Sequence, residues 1–166
     1  MNKKIKISDY VAQFLEHNQI EFVFEMSGGM ITRLLDSIHQ ESKIKIISFR
    51  HEQSAAFAAD AYGRLTGIPG IALATSGPGA TNLITGIGSS YFDSSPTVFI
   101  TGQVNSNFLK PDNSIRQTGF QEADMCSIFK SITKYTKLIL DPNSIKYELE
   151  YSLFLATNGR PGPILL

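Results

Sequence analysis

The sequence predicts an α/β domain: three layers, α/β/α, around a parallel sheet of about six strands. Three observations lead there. Short apolar runs alternate with segments of helical periodicity along the 166 residues. The links between them are short, as strand–helix units with helices on both faces of a parallel sheet require. One run, GIALAT (70–75), is apolar on both faces and leads into a glycine turn, the pattern of a central parallel strand.

The elements follow in order. Ser8 is placed to cap a first helix that buries Val11, Phe14 and Leu15. IEFVFE (20–25) reads as a strand, SGGM (27–30) as a glycine turn, and 30–40 as a helix with Ile31, Leu34, Leu35 and Ile38 at helical spacing. KIKIIS (43–48) is a second strand, and an alanine-rich helix covers 51–66. After strand 70–75, a Gly/Ala-rich helix spans 80–90 and PTVFITG (96–102) is a fourth strand. Residues 104–120 form a long polar connection, a length that often carries function. A helix (121–130), a strand (134–140), a helix opened by Pro142 (142–157) and a last strand, GPILL, complete the chain. No internal repeat or domain boundary is visible, so residues 1–166 read as one domain. Its apolar last strand suggests a cut between domains or one subunit of something larger.

Composition narrows the function. Apolar residues make up 42% and charged residues 18%, which suits a packed globular chain. Fifteen basic side chains balance fifteen acidic ones, so no bulk charge draws the chain to nucleic acid or an anionic membrane. No apolar run approaches the roughly 20 residues of a membrane helix. Asp9, Gln13, Glu16 and His17 interrupt any signal-peptide core, which points to the cytoplasm. The one cysteine, Cys126, excludes an internal disulfide and reads as a buried small hydrophobe. His17, His39 and His51 lack metal-ligand spacing, so no metal site is expected.

Chemistry gathers at the strand ends. Glycine-marked junctions follow the first strand (MSGGM), the third (TSGPGATN) and the fourth (TGQ), and Glu52 follows the second, so four junctions share the edge where α/β sheets build sites. By pattern alone SGPGATN is a phosphate cradle or a tight turn, being neither a dinucleotide fingerprint nor a P-loop. Glu52 is either a first-turn acid favoured by the helix dipole or a buried acid with a task.

Four stretches, FRHEQSAAFAADAYGRLTG, ATSGPGATNLITGIGSSYFDSSPTVFITGQV, GFQEADMCSIFKSITKYTKLI and NGRPGPILL, occur in that order. Together they resemble the N-terminal pyrimidine-binding domain of thiamine-diphosphate enzymes of the acetolactate synthase type, from about residue 8 to 166. The resemblance implies that Glu52, in RHEQ, hydrogen-bonds a ring nitrogen of the cofactor's aminopyrimidine from a dry pocket. This favours the tautomer whose exocyclic nitrogen deprotonates the thiazolium carbon. It places Ser27, Gly28, Thr75, Pro78 and Asn82 around the same ring, and Gly29 and Gln121 toward the substrate, with Glu52 and Gln121 as the catalytic pair. Gln103 is a weaker candidate, read in preference as a strand-end amide that ties down a loop.

The resemblance further implies a 2-oxo acid substrate that is decarboxylated and passed to an acceptor. Thiamine diphosphate and Mg²⁺ would be anchored by a separate diphosphate-binding domain of a second subunit, in a homodimer or homotetramer. FAD, carried by some relatives, is left open. A domain of this kind would be inactive alone. Two departures bear on the product: Met26-Ser27 stands where the family has Tyr-Pro, and the stretch between TGQV and GFQE is longer than usual. The alternatives are a small subunit of a split thiamine-diphosphate decarboxylase, or a non-catalytic α/β interaction module.

Overall fold

The computed structural model describes residues 5–112 and 114–166. The element order is α1 (Ile7–His17), β1 (Phe22–Glu25), α2 (Thr32–Glu41), β2 (Lys45–Ser48), α3 (Glu52–Thr66), β3 (Gly70–Ala74), α4 (Pro78–Thr81), α5 (Ile84–Asp93), β4 (Thr97–Thr101), α6 (Met125–Phe129), β5 (Tyr135–Thr136), α7 (Ile145–Thr157) and β6 (Pro163–Leu165). The six strands form one parallel sheet in the order β2-β1-β3-β4-β6-β5, which bears out the predicted class.

Strand parity assigns the layers. In β3, Ile71 and Leu73 point to one face and pack with α1, α2 and α7 through Leu15, Ile38 and Leu149. Ala72 and Ala74 point to the other face, against α3, α4, α5 and α6 through Ala56, Ala59, Ala80 and Phe129. Every residue of β3 is buried, as its two-sided apolar pattern requires.

Several boundaries differ from the sequence reading, each for a local reason. Ser8 is not the cap of α1. Lys6 takes that position, with no side-chain cap bond, and Ser8 Oγ instead lies 2.8 Å from Ser37 Oγ of α2. The single helix expected over 80–90 is two. The backbone tightens at Asn82 and Leu83, where Leu83 N–H donates to Ala80 O at 3.1 Å and breaks the regular ladder. The helix expected at 121–130 begins at Met125 because Asp124 caps it, its carboxylate accepting from Ser127 N–H at 3.0 Å. The strand expected at 134–140 shrinks to Tyr135–Thr136, since the edge it joins, β6, is three residues long. Pro142 opens a single 3₁₀ turn over 142–144 before α7. Cys126 is half-buried rather than buried.

α3 is held most firmly at its ends. His51 Nδ1 accepts from Gln53 N–H at 3.1 Å, and Gly67, at φ +73°, ends the helix in the left-handed conformation. On the outer side Arg64 bridges Asp60 at 2.6 Å and Asp93 at 2.8 Å, clasping α3 to α5.

Candidate functional site

The strand order locates a crevice before any side chain is considered. From β1 the chain moves outward to β2, then returns across β1 to β3 and continues to β4 on the opposite side. The order therefore reverses between β1 and β3, and a crevice opens at the carboxyl ends of those two strands. The SGG turn (27–29) leaves β1 there, and the SGPG turn (76–79) leaves β3 beside it.

Thr75 joins the two turns. Its hydroxyl accepts from Met30 N–H at 3.3 Å, and its side chain fills the space that a Cβ on Gly28 or Gly79 would need, at 2.5 Å and 2.6 Å respectively. Glycine at both positions is thus a steric requirement, and it leaves two bare stretches of backbone on either side of Thr75. Gly29 is open, with nothing within 4 Å of a Cβ placed there.

Glu52 enters from α3. It is half-buried, and Asn82 Nδ2 donates to its Oε2 at 2.9 Å. Its other oxygen, Oε1, would stand 3.2 Å from a Cβ on Gly79 and accepts no hydrogen bond among the described residues. One oxygen is therefore fixed by a neutral amide, while the other is available at the glycine-lined crevice. The site is open on this side, so the dry pocket expected for Glu52 is not completed by this domain. Ser27, Pro78 and Asn82 are exposed at the rim; Pro78 serves locally as the first residue of α4.

Gln121 reaches the same edge by a different route. It adopts φ +59°, uncommon for a residue with a Cβ and costing on the order of 1–3 kcal/mol. Its Cβ and carbonyl oxygen press on Gly77, where an added Cβ would come within 2.7 Å of each. The structure thus brings Glu52, Asn82, Thr75, Gly28 and Gln121 to one crevice mouth. Gln103 does not join them as a ligand group. Its Nε2 donates to Ala123 O at 3.0 Å and its Oε1 accepts from Val104 N–H at 2.9 Å, the loop-tying role preferred for it on sequence.

Two acids escaped sequence reasoning. Glu25, 2% exposed at the end of β1, accepts from Ser48 Oγ through Oε1, while its Oε2 is buried with no hydrogen-bond partner among the described residues. A strand-ending acid gives no sequence signal of burial. Glu122, 8% exposed, gathers three backbone N–H groups, and these bonds hold its carboxyl below the usual carboxylate range. Its place in GFQE, beside a candidate residue, was the available hint. Beyond Met30 lies a separate apolar hollow of about 440 Å³, lined by Val11, Leu34, Ile100, Val104 and Leu166, which does not include Glu52. No cluster of metal-ligating side chains occurs among the described residues, nor any helix long and apolar enough to cross a membrane.

Comparison with known proteins shows which family the chain is similar to. The family model described as thiamine pyrophosphate enzyme, N-terminal TPP binding domain, matches residues 5–128. Acetolactate synthase of Arabidopsis thaliana chloroplasts is 42% identical over 97% of this chain, which covers 23% of that protein. The acetolactate synthase large subunits of Haemophilus influenzae and Corynebacterium glutamicum are 41% and 40% identical over 99% and 94% of the chain, covering 28% and 24% of theirs. The chain spans about a quarter of the length of these relatives.

Proposed function

Because the chain belongs to the N-terminal TPP-binding domains of thiamine pyrophosphate enzymes, we propose that its crevice holds the aminopyrimidine half of thiamine diphosphate in a carboligase that decarboxylates a 2-oxo acid. The observation that carries this reading is the pairing of Glu52 with Asn82 beside a glycine-lined wall. The residues fit the group. Gly28 and Gly79 let both turns close onto Thr75, which draws them together at the crevice, and Gly29 leaves open backbone beside it for a flat ring. A ring nitrogen needs one oriented carboxyl oxygen, and Glu52 Oε1 supplies it.

Thiamine diphosphate, when bound, supplies the nucleophilic carbon and electron sink for cleavage beside a carbonyl. This chain's residues do the rest of the work at the pyrimidine end. Asn82 fixes the rotamer of Glu52 by donating to Oε2. Oε1 shares a proton with the ring nitrogen in a charge-assisted bond, strengthened once water is excluded. Gln121 and Gly29 face the 2-oxo acid, and Ser27 and Pro78 form the rim. SGPG acts as a turn that presents Gly79 and Asn82. Its helix is four residues long, and it is not a diphosphate site.

The half-open setting of Glu52 calls for a covering surface. Exposed apolar side chains run along α3 and α5, Phe57 and Ile84 toward the crevice end and Leu65 (87% exposed) and Phe92 (70%) at the other, with Arg64 and Asp93 among them. Exposed apolar area of this kind marks an interface. We assign it to the diphosphate-binding domain of a second subunit, which would anchor diphosphate and Mg²⁺ in a homodimer or homotetramer located in the cytoplasm.

The test is Glu52→Gln in the full polypeptide. The amide keeps the shape and loses the proton-sharing oxygen, so turnover of a 2-oxo acid such as pyruvate should fall by about 10²–10⁴-fold, with the melting temperature little changed. Wild-type turnover in that variant would end the assignment. Gly79→Ala provides a second reading by titration: its Cβ would meet Thr75 at 2.6 Å and Glu52 at 3.2 Å, so thiamine diphosphate should bind more weakly.

A further inference from the structure

The left-handed backbone of Gln121 needs something to hold it. Glu122 N–H donates to Gly119 O at 3.2 Å, so residues 119–122 form a tight turn with Gln121 at its third position. That position at positive φ favours glycine or asparagine. A glutamine stays there only when its surroundings fix it from more than one side. One side is Gly77, on which Gln121 packs.

The other side is the carboxylate of the very next residue. Glu122 folds back, so that Oε1 accepts from Lys110 N–H at 2.7 Å and Oε2 accepts from Thr118 N–H at 2.8 Å and Gly119 N–H at 3.2 Å. Both oxygens of one buried side chain are thereby committed to backbone. The amides they hold lie near the middle of the long connection, close to its far end and at the first residue of the turn. Gly119 itself is seated on Val104, with 2.8 Å between that side chain and a would-be Cβ, so the turn has little room to shift. Below it, Gln103 ties Val104 to Ala123.

We propose that Glu122 is a positioning residue: by holding Lys110, Thr118 and Gly119 it fixes the 119–122 turn and so places Gln121 over the SGPG turn. The assignment rests on the substrate-facing role proposed for Gln121. It adds that the long connection is mechanically part of the site. One carboxylate joins its middle, at Lys110, to the turn that carries Gln121, so a change in the connection is transmitted to the residue facing the substrate. Glu52 and Asn82 make no hydrogen bond to this network among the described residues, so turnover should depend on it more than cofactor affinity does.

The experiment compares Glu122→Gln and Gln121→Ala in the full polypeptide, measuring amide hydrogen exchange and the kinetics of a 2-oxo acid. Glu122→Gln replaces one acceptor oxygen by a donor that faces other donors. Exchange at Lys110, Thr118 and Gly119 should rise by about tenfold or more, while Ile71 and Leu73 in β3 keep their protection. The turnover number should fall with thiamine diphosphate affinity unchanged, a split that general destabilisation would not produce. Unchanged exchange at the three amides would overturn the proposal, as would loss of cofactor affinity in step with turnover. If the glutamine variant does not fold, Glu122→Asp, which keeps the charge and shortens the reach, decides on the same amides. Gln121→Ala separates the two layers of the argument. Wild-type kinetics there, with Glu122→Gln still lowering turnover, overturn the route through Gln121; reduced turnover there together with loosened amides in Glu122→Gln supports it.

Discussion

The two faces of the sheet are built on different principles. The face covered by α1, α2 and α7 is filled with branched aliphatic side chains such as Leu15, Ile38, Ile71, Leu73 and Ile164. The other face is uneven: Phe99, Phe129, Leu83 and Ile87 fill part of it, while the strip under α3 has little side-chain volume to fill. Ala56, Ala59, Ala72 and Ala74 line it, and glycines bring backbone against backbone. A Cβ on Gly70 would fall 1.9 Å from Ala59 O, one on Gly63 2.2 Å from Pro96 O, and one on Gly86 2.3 Å from Ala56 Cβ. Long side chains can rotate to absorb a change, whereas backbone in contact cannot. Glu52 begins α3, the helix packed on this strip, so backbone contacts at Gly63, Gly70 and Gly86 limit how far α3 can shift against β3 and α5. A site that holds a flat ring needs positions fixed to a fraction of an ångström.

Substitutions on the two faces should therefore fail differently. The largest expected effect on stability is on the aliphatic face. Leu15→Ala, at a side chain 1% exposed, should cost about 2–5 kcal/mol in thermal or denaturant unfolding. Cofactor affinity measured well below the melting transition should stay unchanged, because α1 makes no hydrogen bond to a site residue among the described residues. Gly86→Ala should cost less, about 1–3 kcal/mol, since one methyl must be accommodated at the α3–α5 contact. It should nevertheless weaken thiamine diphosphate binding, because α5 follows directly from the turn bearing Asn82. If Leu15→Ala moved affinity and Gly86→Ala did not, the contrast between the faces would be wrong.

How much of this could be read from the chain follows the same division. Parallel strands, their number and the alanine helix were visible because burial on both faces leaves a run such as GIALAT, and close packing leaves alanine at helical spacing. Glu52, Asn82, Thr75 and the glycine turns were assigned roles through the resemblance of whole motifs, since spacing alone favours a first-turn acid and a simple turn. What stayed hidden depends on contacts between distant segments. Ser8 looked like a cap until Ser37 claimed its neighbourhood. Glu25 ends a strand in the sequence, and only the fold brings Ser48 over it. Gln121 carried no sign of its left-handed backbone, because the residues that impose it, Gly77 and Glu122, act by position in space. The break between α4 and α5 likewise leaves no composition signal in a stretch uniformly rich in small residues.

The smallest expected effect is confined to the long connection and sharpens the comparison in a third region, which belongs to neither face. The carboxyl of Glu122 is held below its ordinary range by the N–H groups of Lys110, Thr118 and Gly119, partly opposed by burial, with the Lys110 side chain as the charge acting on it. A lowered folded-state value means that the folded form binds the proton less readily than the unfolded form. The stabilisation is then fully present above the unfolded value of about 4.3 and is lost as pH falls through the lowered one. Amides 110, 118 and 119, corrected for intrinsic exchange, should lose protection on acidification below about pH 4, before β3 opens. Asp112 and Asp124 are also lowered, chiefly by their side-chain bonds to Ser114 and Ser127, and could produce an acid transition in the same segment. Glu122→Gln separates these sources. If the transition at the three amides disappears in that variant, one carboxylate governs the connection; if it persists at the same pH, the aspartates do, and the connection is tied down by its own turns rather than by the residue beside Gln121.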